Sequence, residues 1–413
     1  MLWSKDIKPN FQVFLFDFGS SISFSYPLFP STVTMGGAKV VVYGLSTEGY
    51  GIACQMAIKG ADVFIIDEST PSAISLKSEI AKTYPNVSSL KEDEPLLAME
   101  PIDVAISKAK YLFFTPRIRK TGQDIKTEIN SKFKDAIAPL KKNCSVVYNL
   151  PIGFGGNNEN ISLLEHVTGF EVGQTVSYYY FPLADVQNTP GVIGSFNAKA
   201  DKELGDLLTS GKKQKKFVSL SSSEHFHAID TLSRFSHLCS VLEVCKFAQD
   251  DITKSDLSSD EFKNIFLDDM VKGLYDLRAL GSSFEGANTL MYLINGSIKG
   301  IEGYIKRLID EIRATLKKND LKASRTKIAL SWSLDQHEMR GDKQETLQNL
   351  ITRLRDYIGD VESFNTPTFD LFHSDKTTIV VACSKLDFEN IEKNKKDSDL
   401  LLIKANPMCE IIQ

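Results

Sequence analysis

The chain has 413 residues, of which 42% are hydrophobic and 24% charged, and its formal net charge is −5. This composition is typical of a globular protein with two or three domains. The acidic balance disfavours a broad nucleic-acid-binding surface, and no apolar run reaches the roughly eighteen residues that predict a membrane-spanning helix. Six cysteines lack disulfide or metal-ligand spacing, which favours a reducing cytoplasmic location and predicts no metal site.

Residues 1–34 are rich in apolar and aromatic side chains, but Asp17 and several prolines interrupt them. No basic region followed by a clean apolar stretch is present, so a signal peptide is the less favoured interpretation. We expect these residues to form an extension outside the folded core, which begins near Met35.

The first predicted unit runs from a buried strand at Lys39–Tyr43 through a glycine turn to a small-residue helix and a second strand that ends at Asp67. Such a strand–turn–helix–strand unit is typical of a dinucleotide-binding domain, in which an acid at the second strand favours NAD over NADP. The predicted cofactor contacts of this unit are Gly44, Leu45, Ser46, Thr47, Glu48, Gly49 and Asp67.

Two residues of this turn depart from the expected pattern. Ser46 stands where a second glycine is usual, and Glu48 lies in the first turn of the helix. Pyrophosphate and a carboxylate both favour the free N–H groups there. If Glu48 points outward, NAD fits, whereas an inward Glu48 repels it.

Further strands are predicted at 111–114 and 145–148, with a helix over 125–140 between them. Strands that alternate with helices indicate a doubly wound parallel sheet, whose ligands bind at the carboxyl ends of the strands. Arg117, Arg119 and Lys120 follow one such end and are either anion contacts or part of a solvated loop. Residues 151–158 follow another, and we interpret them as a wall of the site.

From residue 221 the pattern becomes helical, with apolar residues at three- and four-residue steps over 226–245 and further helices over 266–280 and 287–318. A smaller α/β unit follows, with strands predicted near 326–332, 361–366 and 376–384 and a helix over 343–357. The predicted organisation is an N-terminal Rossmann-type domain (35–218), a central helical region (219–322) and a C-terminal Rossmann-like α/β domain (323–413).

The order of these pieces resembles the UDP-glucose/GDP-mannose dehydrogenase family, within the larger 6-phosphogluconate-dehydrogenase-like group. Six stretches carry the resemblance, and they read VVVYGLSTEGYGIACQMAIKGADVFIID, AISKAKYLFFTPRIRKTG, LKKNCSVVYNLPIGFGG, LLEHVTGFEVGQTVSYYYFPLAD, LMYLINGSIKGIEGYIKRL and KIALSWSLDQHEMRGDKQETLQNLI. The resemblance implies NAD bound to the first domain, a homodimer formed through the central helix, and a nucleotide sugar held by the last domain.

The resemblance also implies roles for individual residues. Thr115 and Pro116, followed by Arg117, match a Thr-Pro loop of the family that lies beside the nicotinamide. Asn149 and Pro151 match a second family loop, and they are expected to contact the cofactor as well. His337 and Arg340 match a ligand-facing loop and are expected to contact the substrate.

Several catalytic groups of the family have no counterpart in this sequence. The interval Phe247–Leu293, where the family carries its nucleophilic cysteine, contains no cysteine. The family's loop threonine, glutamate, lysine and asparagine align near Leu150, Leu183, Glu224 and Ala228. Without these groups the family's two-step oxidation is not expected, and no catalytic residue is predicted.

Three functions follow from these observations. The first is an NAD-dependent oxidoreductase that acts on the CH–OH group of a UDP-sugar and stops after one hydride transfer. The second is a catalytically inactive relative that binds a nucleotide or sugar nucleotide in a regulatory role. The third, a dehydrogenase of a small hydroxy acid, is disfavoured by the second α/β domain.

Overall fold

The computed structural model describes residues 37–93, 95, 97–120, 124–183, 190–209, 215–251, 263–284, 289–365, 376–394 and 400–412. The predicted extension, residues 1–34, lies outside the described residues. Within the described ranges, no helix is both long and apolar enough to cross a membrane.

The first sheet has nine strands in the order β4-β3-β2-β1-β5-β6-β7-β8-β9. Its strands are β1 (Lys39–Tyr43), β2 (Asp62–Ile66), β3 (Ser72–Leu76), β4 (Met99–Pro101), β5 (Tyr111–Phe114), β6 (Ser145–Tyr148), β7 (Ser177–Tyr180), β8 (Val192–Ser195) and β9 (Lys216–Ser219). The five strands from β2 to β7 are parallel, and antiparallel pairs flank them. Strands β5 and β6 are buried along their whole length because helices cover both faces of the sheet.

Seven helices belong to this domain in the described residues. They are α1 (Thr47–Ile58), α2 (Ser78–Thr83), α3 (Val87–Asp93), α4 (Ile102–Ser107), α5 (Asp124–Ile137), α6 (Gly156–Thr168) and α7 (Lys202–Leu208). The chain runs outward from β1 to β4 and then returns to β5 on the other side of β1. The carboxyl ends of β1 and β5 therefore form the topological switch point, where such sheets bind their ligands.

In its described residues the central region contains two long helices and two short ones, namely α8 (Leu220–Asp251), α9 (Leu267–Val271), α10 (Leu274–Gly281) and α11 (Thr289–Lys318). The single helix expected over 266–280 is in fact two helices. They separate at Gly273, whose φ of 73° is left-handed and ends the first helix.

The C-terminal sheet has five strands in the order β11-β10-β12-β13-β14. Its elements are β10 (Thr326–Ser331), α12 (Asp342–Arg355), β11 (Val361–Phe364), β12 (Thr377–Ala382), α13 (Lys385–Asn394), β13 (Leu401–Lys404) and β14 (Ile411–Ile412). One hydrophobic cluster joins the central helices to a face of this sheet, and another fills the first domain. The predicted α/β fold, with its two sheets and helical middle, is confirmed.

Candidate functional site

The predicted glycine turn lies at the switch point, where β1 and β5 end side by side with Tyr43 paired to Phe114. Gly44 has a φ of 114°, and a Cβ there would lie 2.2 Å from the carbonyl oxygen of Thr115. A Cβ on Gly49 would lie 2.2 Å from Thr115 Oγ1. Close packing against Thr115 and Pro116 is therefore sufficient to require both glycines.

Several N–H groups at the N-terminus of α1 have partners. Thr47 N–H donates to the carbonyl oxygen of His337 at 2.8 Å. Gly49 N–H donates to Ser46 Oγ at 3.1 Å, and Tyr50 N–H donates to the Ser46 carbonyl at 2.8 Å. Ser46 thus acts as a helix cap, with its hydroxyl also donating to the Thr115 carbonyl.

Glu48 points into the molecule, which decides between the two orientations considered above. Its side chain is buried, and Oε2 accepts a 2.8 Å hydrogen bond from Met339 N–H. Oε1 lies 3.9 Å from Arg340 Nη1. Burial raises the pKa of Glu48, against the opposing effects of Arg340 and the Met339 N–H.

The partners of α1 come from one stretch of the C-terminal domain, Asp335–Arg340, which we call the closing segment. Its Met339 carbonyl accepts from Ile118 N–H at 2.7 Å, and Asp335 accepts from the Thr47 hydroxyl. Arg119 donates to the carbonyl oxygens of residues 336 and 338 at 2.7 and 2.8 Å. The closing segment is therefore bonded to both loops of the switch point.

Arg340, predicted to contact substrate, instead lies in a buried ion-pair cluster. Its guanidinium donates to both carboxylate oxygens of Asp276, at 2.6 and 3.1 Å. Asp342 lies beside this pair and accepts from Tyr275 N–H at 3.0 Å. Burial, with the nearby charge of Asp276, raises the pKa of Asp342 to about 7. One arginine thus faces three buried carboxylates, counting Glu48.

His337 contacts the switch point through its backbone carbonyl, which accepts from Thr47 N–H, and not through its ring. Its ring is half-buried, and Nδ1 has no hydrogen-bond partner among the described residues. Burial and the charge of Lys91 lower the pKa of His337. The ring therefore lies close to the cationic groups at the end of β2 and favours the neutral form.

Asp67 lies at the end of β2, as predicted, but its carboxylate already has partners. It accepts from the Ser69 amide at 3.0 Å and hydroxyl at 2.7 Å, and from Arg117 Nη2 at 3.0 Å. Burial would raise the pKa of Asp67, but the bonds from Ser69 and the charges of Arg117 and Lys91 lower it. Arg117 is thus engaged by an internal acid.

The loop after β6 contributes structural contacts at the positions that depart from the family. Asn149 is fully buried and donates to the Phe181 carbonyl at 2.8 Å, while Leu150 and Leu183 are core residues. Glu224, near the family's lysine position, accepts from Gly155 N–H at 3.0 Å and from the Asn157 side chain at 2.7 Å. It therefore caps the loop that leads into α6.

Three cavities lie near the carboxyl edges of the two sheets. One of about 880 Å³ adjoins Tyr148 and Pro151, and one of about 1090 Å³ lies between α8 and residues 264–276. A third, of about 760 Å³, adjoins the N-terminus of α12. In the part of the chain that the structure describes, no group of histidine, cysteine and acidic residues could hold a metal ion.

Sequence reasoning missed Asp276 and Asp342. Asp276 and Asp342 resemble ordinary helix residues in the sequence, and no local pattern marks them as partners of Arg340. Arg119 was a predicted candidate for an anion contact, but the acceptors that it meets are backbone carbonyl groups more than 200 positions away.

A bound dinucleotide would need hydrogen-bond donors for its pyrophosphate at this switch point. Such a group binds through free N–H groups at the helix N-terminus. The N–H groups of Thr47, Gly49 and Tyr50 already have partners, and the buried Glu48 carboxylate lies in the same turn. In this arrangement the residues at the α1 N-terminus do not fit a pyrophosphate, and NAD binding stays a prediction.

No protein-family model and no curated protein matches the sequence. Solved structures do match over most of the chain. The UDP-D-ManNAc dehydrogenase of Pyrococcus horikoshii is 14% identical with a TM-score of 0.61, covering 86% of this chain and 92% of its own. A UDP-glucose dehydrogenase of Pyrobaculum islandicum is 12% identical with a TM-score of 0.59, covering 92% and 96%.

A third match is the UDP-N-acetyl-mannosamine dehydrogenase Cap5O of Staphylococcus aureus, 15% identical with a TM-score of 0.54, covering 84% of this chain and 88% of that one. Identities this low establish the fold and not the activity. The two sheets, the long central helices and these matches together show that the chain has the fold of UDP-sugar dehydrogenases.

Proposed function

We propose that this chain is a non-catalytic protein with the UDP-sugar dehydrogenase fold, which binds a nucleotide or sugar nucleotide in a regulatory role. The observation that carries the proposal is the N-terminus of α1, where the closing segment and Glu48 take the place of a pyrophosphate. Hydride transfer needs a bound dinucleotide. Here the chain's own residues occupy the position at the α1 N-terminus where the pyrophosphate of that dinucleotide would bind.

The energetics of the switch point favour this proposal. For NAD to enter, the Thr47–His337 and Glu48–Met339 hydrogen bonds must break, and the buried Glu48 carboxylate must move away from the phosphates. Each buried donor or acceptor left without a partner costs about 1–3 kcal/mol. The missing cysteine in 247–293 and the structural roles of Leu150, Leu183 and Glu224 favour the same conclusion.

The binding site that we propose is the cavity of about 760 Å³ at the carboxyl edge of the C-terminal sheet. Ser363 and Asn365 line it near the end of β11, and Gly341 and Gln344 line it at the start of α12. No side chain caps α12. A parallel-strand edge beside a helix N-terminus is a usual place for a nucleotide phosphate.

The dehydrogenase is the second candidate, and the occurrence of the glycine turn and Asp67 at a switch point favours it. In that case NAD would displace the closing segment, the first domain would supply its binding groups, and oxidation of a UDP-sugar would stop at one hydride transfer. The same experiment tests both candidates.

Thermal unfolding with NAD, NADH, UDP and a panel of UDP-sugars separates them. A ligand that binds only the native state raises the melting temperature. We expect UDP or a UDP-sugar to raise it and NAD and NADH to leave it unchanged. A shift with NAD, together with an absorbance increase at the NADH band when UDP-sugar is added, would establish the dehydrogenase instead. No shift with UDP or any UDP-sugar would refute the binding proposal.

A further inference from the structure

A second cavity, of about 880 Å³, opens beside the carboxyl end of β6 and contains no residue of the closing segment or of the α1 N-terminus. We call it the β6 cavity. Its walls come from α5, α6, α10 and the loop 151–156, with Glu345 of α12 at the edge. Its volume is in the range of about 300–1,000 Å³ found for small-molecule sites.

The inner wall of the β6 cavity is aromatic and rigid. Tyr148 and Tyr275 are buried, and Asn160 lies with them in the lining. Asn160 donates to the Tyr178 hydroxyl at 3.2 Å. The ring of Phe154 is held 5.4 Å from that of Phe284, edge to face. These packed rings form an aromatic, apolar wall.

The loop that closes the cavity requires a glycine. A Cβ on Gly153 would lie 2.4 Å from Ser283 Oγ and 2.8 Å from the Ala279 carbonyl. Only the absence of a side chain lets the loop reach α10 and complete the wall.

The charged groups around the cavity are paired with one another. Arg278 Nη1 lies 2.8 Å from Glu345, and Lys126 Nζ lies 2.7 Å from Glu159. A phosphate would have to compete with a carboxylate for either cation, and the Lys126–Glu159 pair lies in an exposed position. The lining therefore favours an uncharged molecule.

One polar side chain in the lining is available for a ligand. Asn130 is half-buried, and its carboxamide has no hydrogen-bond partner among the residues that the structure describes. A carboxamide presents a donor and an acceptor side by side, which matches the edge of a nucleobase. Aromatic side chains and an edge-reading amide are the means by which proteins hold single bases.

We propose that the β6 cavity binds a nucleoside, with its base against the aromatic wall and its edge on Asn130, and that it discriminates against the phosphorylated form. The β6 cavity and the proposed nucleotide cavity on the C-terminal sheet share Glu345 at their edges, but the nucleoside proposal does not depend on the nucleotide proposal.

Calorimetric titration of the full chain with adenosine, guanosine, uridine and their monophosphates tests the proposal. We expect at least one nucleoside to bind at concentrations of about 1 mM or below, and its monophosphate to bind no more tightly. Asn130→Ala should weaken that nucleoside about tenfold or more, while Asn158→Ala, an exposed asparagine on α6 outside the cavity, should not.

Ala279→Trp, which fills the cavity from α10, provides a second variant in case Asn130→Ala alters the fold. It should abolish nucleoside binding and leave any response to UDP unchanged, because UDP is expected at the other sheet. Failure of all three nucleosides to bind, a monophosphate that binds about tenfold more tightly, or equal binding by Asn130→Ala and Asn158→Ala would overturn the proposal.

Discussion

Arg340 and the carboxylates around it are the residues on which the switch point depends. Arg340 lies between Asp276, which it contacts through two nitrogens, and Glu48. A buried ion pair of this kind adds little stability relative to an apolar pair, but removing one partner leaves an uncompensated charge. The cluster therefore favours one arrangement of the C-terminal domain over the first sheet.

We expect Arg340→Met to reduce the free energy of unfolding by about 3–5 kcal/mol, because Asp276 then remains buried without a counter-charge. The matched control is Arg278→Met, which removes a half-exposed pair with Glu345 and should cost no more than about 1 kcal/mol. Urea denaturation of both variants measures the difference. Equal losses would show that Arg340 is not compensating a buried charge.

Asp342 makes the stability of the protein dependent on pH. Its pKa is raised to about 7 in the folded state, so between about pH 4 and pH 7 the folded protein retains a proton that the unfolded chain releases. The free energy of unfolding should therefore fall as the pH rises through this window. Asp342→Asn cannot ionise, and its amide oxygen still accepts from Tyr275 N–H.

We expect Asp342→Asn to gain stability relative to the natural chain as the pH rises from about 5 to about 8, with the difference small at the acidic end. Denaturation at several pH values checks it. A pH dependence identical to that of the natural chain would mean that Asp342 ionises normally in the folded protein.

At the scale of elements, the structure of α1 and of the turn before it could be predicted from the sequence, but their role could not. The strand, the glycines and the helix were predicted correctly because they depend on local apolar pattern and backbone freedom. Their use was not predictable, since the glycines are already explained by the contact with Thr115 and the helix N-terminus bonds to His337. The break at Gly273 was missed for a similar reason, because flanking apolar residues continued the helical pattern.

Gly49→Ala should destabilise the protein by about 1–3 kcal/mol or more, because the new methyl group meets Thr115 Oγ1 and the Gly44 carbonyl. Gly303→Ala, at an exposed position of α11 with nothing within 4 Å of the new Cβ, should instead stabilise it by up to about 1 kcal/mol. Thermal and urea unfolding of the two variants provide the comparison. A loss for both, or for neither, would contradict the packing argument.

At the scale of the whole molecule, one face of α8 is apolar and exposed. Phe226 and Ile229 lie near its start and Val244 and Phe247 near its end, and these four residues are 54–75% exposed. The two pairs are separated by about five helical turns and therefore share a face. Ser233, His237 and Ser240 are exposed on this face between them.

Large exposed apolar side chains at both ends of this face suit a contact with a second copy of α8, in keeping with the predicted homodimer. We expect the double variant Ile229→Asp and Phe247→Asp to sediment as a monomer where the natural chain sediments as a dimer. Leu386→Asp, an equally exposed apolar residue on α13, is the control and should not change the mass. A natural chain that is monomeric at all concentrations would refute the predicted homodimer.

The sequence by itself determined the fold, because buried strands, amphipathic helices and left-handed glycines are local features that each segment expresses without its neighbours. It also identified which loops meet at the switch point, since parallel strands place their carboxyl ends on one edge. Only the tertiary structure decided what fills that edge. Whether the α1 N-terminus is open depends on Glu48, His337 and Met339, and hydrogen bonds between groups almost 300 residues apart leave no local pattern to read.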